Sequence, residues 1–63
     1  MSRRYEVAYT RVQGQREFQD FISKSLARKF AEELVKSGCV DVFLDTYDED
    51  NDLIAYEKIK RRL

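Results

Sequence analysis

Sixty-three residues make one small domain, 1–63, and a chain this short buries only about 60% of the surface that its unfolded form exposes. Twelve basic and twelve acidic residues cancel, so no global field draws the chain to nucleic acid or to a membrane surface. One cysteine, Cys39, and no histidine exclude an internal disulfide and the common zinc ligand sets.

Residues 5 to 12, YEVAYTRV, alternate and are rich in β-branched and aromatic side chains, which predicts a strand. Gln13-Gly14 then reads as a two-residue hairpin turn, because glycine takes the positive φ that primed turns require. The returning strand is QREFQDFI, 15 to 22. This register sets Tyr9 opposite Phe18, Tyr5 opposite Ile22 and Val7 opposite Asp20 on one face, with Phe21 on the other. It also sets Arg11 opposite Arg16, and like charges directly opposite repel.

The stretch SKSLARKFAEELVKSG predicts an amphipathic helix. Leu26, Phe30 and Leu34 form one ridge beside Ala27, Ala31 and Val35, while Arg28, Lys29, Glu32, Glu33 and Lys36 take the opposite side. Ser23 or Ser25 caps its start, and Gly38 stands where a left-handed residue ends a helix.

Alternation returns in CVDVFLDTY, 39 to 47, with Val40, Val42 and Leu44 on one face and Asp41, Phe43, Asp45 and Tyr47 on the other. After DEDND a last strand, LIAYEKIK, runs from 53 to 60. The expected fold is α+β in the order β-β-α-β-β. One antiparallel or mixed four-stranded sheet carries the helix on one face. The helix would cover Tyr5, Val7, Tyr9, Phe18, Ile22, Val40, Val42 and Leu44. From the last strand either Leu53, Ala55 and Ile59 or Ile54 and Tyr56 would join the far face.

The acidic run Asp48-Glu49-Asp50-Asn51-Asp52 is superficially like the start of a calcium loop. That motif requires glycine at its sixth position and a bidentate glutamate at its twelfth, where this chain has Leu53 and Ile59. Aspartate and asparagine tolerate turn dihedrals, so the run reads as a hairpin connection.

Catalytic machinery is hard to assemble without a histidine to move protons, a glycine-rich loop to cradle phosphate, or a base to activate Cys39. The sequence therefore predicts a non-enzyme with no cofactor, no metal and no small-molecule substrate. Phe21, Phe43, Tyr47 and Tyr56 are left over once the helix has covered one sheet face. A contiguous exposed apolar face marks an association site. The expectation is a protein interface, used by a homodimer or by a host or phage protein. Nucleic acid is the alternative, through Arg3, Arg4, Arg11, Arg16, Lys60, Arg61 and Arg62 with aromatic rings between them. The zero net charge counts against it, because phosphate contacts need a basic footprint. No apolar run is long enough for a signal peptide or a membrane span, and the lone thiol fits a cytoplasmic setting.

The segment ARKFAEELVKSGCVDVFLDTYDEDNDLIAYEKI resembles the small, mostly uncharacterised ββαββ proteins of phages and mobile elements. The resemblance covers residues 5 to 60 and contains no catalytic or ligand motif. It implies an accessory role, in which the protein binds and modulates a host or phage protein.

Overall fold

A computed structural model describes residues 3–60. Strand β1 spans Arg4–Thr10, β2 Arg16–Phe21, helix α1 Lys24–Lys36, β3 Val40–Tyr47 and β4 Leu53–Lys58. The strands form one four-stranded sheet in the order β2-β1-β3-β4, and every neighbouring pair is antiparallel. This is the expected ββαββ arrangement. Because β2 and β3 both oppose β1, they run the same way, and α1 is the crossover between them. No described helix is long and apolar enough to cross a membrane.

The helix starts and stops where its end chemistry dictates. Ser23 is the N-cap, and its hydroxyl accepts from the Leu26 N–H. At the far end the Cys39 N–H reaches the Leu34 carbonyl at 3.0 Å and the Gly38 N–H reaches Val35 at 3.2 Å. Gly38 has φ +98°, which completes a Schellman motif that a side chain would strain.

Both hairpins close by one device, a three-residue loop whose last residue is left-handed. In the first, Arg11 and Gln15 pair, the Gly14 N–H donates to the Arg11 carbonyl at 2.7 Å, and Gly14 has φ +94°. In the second, the Asp48 N–H donates to the Asp52 carbonyl, Asn51 N–H donates back to Asp48, and Asn51 has φ +66°. The Asp48 carboxylate accepts from the Asp50 and Asp52 N–H groups at 2.9 and 3.0 Å. The acidic run is thus a turn that aspartate holds together from inside.

The first loop corrects the expected register. With Val12 inside the loop, Tyr5 faces Phe21, Val7 faces Gln19 and Ala8 faces Phe18. A slip of one residue exchanges the faces of a strand. Phe21 therefore lies under the helix, its ring 5.2 Å from that of Phe30, instead of on the open face. Phe18 and Ile22 are exposed, not core.

Val7, Tyr9, Ala27, Ala31, Val42, Leu44 and Ile59 form the core, with Tyr5, Phe21, Phe30, Leu34 and Val35 packed around it. Two further expectations are corrected here. Val40 is exposed, because Asp41 has φ +51° and the β1–β3 register shifts beside it, which breaks the alternation between Val40 and Val42. The innermost helix positions are Ala27 and Ala31, both 0% exposed, while Leu26 is 58% exposed. Small side chains let the backbone of α1 come close to the sheet, and the larger Phe30, Leu34 and Val35 fill the flanks.

Two ion pairs tie the helix side together. Arg28 on α1 makes a two-pronged contact with Glu57 on β4. On β2, Glu17 accepts from the Arg11 guanidinium at 2.7 Å and from the Tyr9 hydroxyl at 3.0 Å. Arg11 first, and then Tyr9, hold the Glu17 carboxyl below its ordinary value, and Arg28 does the same for Glu57. A carboxyl depressed by folding stabilises the chain above its unfolded pKa, and that stability is lost as pH falls through the folded value. Thermal midpoints should therefore stay level from neutral pH down to about pH 5, then fall below about pH 4.5. Glu17→Gln/Glu57→Gln should flatten that acid limb in the same melts.

Candidate functional site

Among the described residues no element covers the sheet face opposite α1, and the strand registers resolve it into lateral rows. One row runs Asp20, Glu6, Asp45, Tyr56 across all four strands. The next runs Phe18, Ala8, Phe43, Lys58. Arg4 and Tyr47 face each other on one side of these rows, and Arg16 with Thr10 closes the other. Ala8 is buried although it lies on this face, because Phe18 and Phe43 are its neighbours on both sides.

Cations frame the face without dominating it. The Arg4 guanidinium lies 4.3 Å from the centre of the Tyr47 ring. It also donates to Asp20 at 2.9 Å, to Glu6 at 3.5 Å and to the side-chain oxygen of Asn51 at 2.6 Å. Four partners fix one side chain between β2, β1 and the second turn. Arg16 donates to Thr10 and to the Asp41 carbonyl at 3.0 and 2.7 Å, with its guanidinium 6.0 Å from the Phe43 ring. Lys58 stands 3.8 Å from Asp41 and 6.0 Å from the same ring.

Asp45 sits near the middle of this frame. It is half-buried, lies directly opposite Glu6, and among the described residues has no ion pair. Burial pushes its carboxyl above the ordinary value, and the charge of Arg16 only partly opposes this. An acid raised by folding destabilises the fold where it is ionised. Relieving that charge should help the chain, and like charges directly opposite in a strand pair cost on the order of 0.2–1 kcal/mol. Asp45→Asn should thus raise stability by about that amount at neutral pH, with the gain shrinking as pH falls. Urea unfolding at two pH values measures it.

Of the expected interface residues, Phe43, Tyr47 and Tyr56 come together on this face, and Phe21 does not. Phe18 takes its place, at 60% exposure beside Tyr56 at 71% as the most exposed rings here. The expected basic set is dispersed. Arg4 and Arg16 lie on the open face, but Arg11 pairs with Glu17 on the helix side. Arg3 and Lys60 lie just outside the strands, and Arg61 and Arg62 fall outside the described residues.

Sequence reasoning missed Phe18 and the Arg4–Tyr47 stack. The one signal for Phe18 was the clash of Arg11 with Arg16 in the two-residue turn, which a three-residue loop removes. Comparison with protein-family models, curated proteins and solved structures finds no match for this chain.

Proposed function

We propose that this chain is a non-catalytic protein-interaction module, a small accessory protein of the phage or mobile-element kind, working in the cytoplasm through the open face of its sheet. Its partner is a host or phage protein, and it also pairs with itself. One observation carries the reading. Phe18, Phe43, Tyr47 and Tyr56 present their rings on the sheet face that α1 leaves uncovered. The free face of an antiparallel sheet is ordinarily polar. Aromatic rings supply large contact area at low entropic cost, and a polar frame of fixed charges gives the contact its orientation. Arg4, held by Asp20, Glu6 and Asn51, is pre-organised for that task.

The arrangement favours protein over nucleic acid. Arg4 and Arg16 already donate to carboxylates or carbonyls of their own chain, and Asp20, Glu6 and Asp45 line the same face. A phosphate backbone would meet as much negative as positive charge there. Titrating a labelled single strand and a duplex at low salt separates the two readings. The interaction reading predicts no binding to either. Micromolar binding that disappears as salt rises, and that is lost on replacing Arg4 and Arg16 with serine, would instead establish a nucleic-acid protein.

A further inference from the structure

Each cation on the open face is engaged inside the chain. Arg4 donates to Asp20, Glu6 and Asn51, Arg16 donates to Thr10 and the Asp41 carbonyl, and Lys58 stands beside Asp41. Half-buried Asp45 has no ion pair among the described residues. Its neighbour Glu6 takes only the long 3.5 Å contact of Arg4, because Asp20 holds the shorter one at 2.9 Å. The row Asp20, Glu6, Asp45 thus sets three acids against one arginine.

The rings show the same imbalance. Arg4 lies over Tyr47, and Arg16 and Lys58 stand near Phe43. Tyr56, 71% exposed, carries no cation among the described residues. It lies directly opposite Asp45 on β4. The Ile59 N–H bonds the Val42 carbonyl, and bonded pairs alternate along the ladder, so Asp45 and Tyr56 form a non-hydrogen-bonded pair, the kind with closer side chains. At Arg4 this face already surrounds a guanidinium with a tyrosine ring and carboxylates. Asp45, Glu6 and Tyr56 offer the same groups with the guanidinium missing.

We propose that the partner docked on the open face is a protein segment that presents an arginine, its guanidinium lying on the Tyr56 ring and donating to the carboxylates of Asp45 and Glu6. It rests on the docking reading above and names the chemistry of what docks. A guanidinium suits the place better than an ammonium, because it is planar, weakly hydrated, stacks on rings and forks onto carboxylates. Apolar side chains flanking that arginine would pack on Phe43 and Phe18, the next row of the face. The partner's charge would also relieve the repulsion between Asp45 and Glu6. That accounts for an acid at a position where asparagine would stabilise the free chain.

A displayed library of random peptides, selected on the immobilised natural chain, supplies the probe. Enriched peptides should share an arginine with apolar neighbours. A synthetic copy should bind Asp45→Asn roughly tenfold more weakly than the natural chain by calorimetry. Replacing the peptide's arginine with citrulline, its neutral isostere, should weaken binding to the natural chain by a similar factor and binding to Asp45→Asn little further. That shared loss assigns the contact to this pair of groups, which a general change in folding would not do. Peptides that lack a basic residue, or that bind Asp45→Asn as tightly as the natural chain, would overturn the proposal. If those peptides were still lost on Phe18→Arg/Tyr56→Arg, docking at the open face would stand without it. A selection yielding no peptide that separates the natural chain from Phe18→Arg/Tyr56→Arg would overturn both.

Discussion

Leu44→Ala is expected to remove about 2–5 kcal/mol of stability, the range for emptying a buried leucine site. Leu44 is 2% exposed, lies on central strand β3 and faces Val7 across the ladder. Its neighbours cannot collapse into the space easily, because Val7 is held on the adjacent strand β1 and Val42 on β3 itself. A chain of this length has about 3–9 kcal/mol to lose in total. The variant should therefore be largely unfolded or show a sharply reduced urea midpoint by circular dichroism. Leu53→Ala is the matched control. Leu53 is half-exposed on the edge strand, and its loss should change the midpoint by no more than about 0.5 kcal/mol.

Ala31→Leu should cost about 1–3 kcal/mol by overpacking. The substitution raises no objection within the helix, since both residues are good helix formers. Its cost arises at the sheet, where Ala31 is wholly buried in the cluster that includes Val7, Val42 and Leu44. Added methylene groups there push α1 away from β1 and β3, the strands it crosses. Leu26→Ala, by contrast, should be nearly neutral, because Leu26 faces solvent. Thermal melts of the two variants separate the observed helix orientation from a ridge centred on Leu26, Phe30 and Leu34. That ridge predicts the opposite ranking.

The ββαββ order was legible because each element carries a strong local pattern. The capping serine, the terminal Gly38 and the alternation of Val42 to Tyr47 all act over a few residues. What escaped were three places where one residue changes a face. Val12 enters the first loop and turns over β2, Asp41 adopts a left-handed backbone and releases Val40, and the helix rotates so that alanines lead. Loop length decides the first. The β1–β3 register shift decides the second, and the close approach of α1 to the sheet through Ala27 and Ala31 the third. None is visible in periodicity, because a strand turned over keeps its alternation. The open-face site inherits that pattern. Phe43, Tyr47 and Tyr56 were readable from the second hairpin, whereas exchanging Phe21 for Phe18 needed the turn geometry. The second turn could be recognised from its composition, since Asp48 and Asn51 suit the conformations they adopt.

Phe18→Arg/Tyr56→Arg alters two exposed rings of the open face and touches neither the core nor the helix. Immobilised natural chain and this folded double variant, exposed to the same host extract and compared by quantitative mass spectrometry, put the docking face to the test. The interaction reading predicts a protein retained by the natural chain and depleted roughly tenfold or more on the variant, with circular dichroism spectra unchanged. Identical retained proteins on two equally folded chains would contradict it.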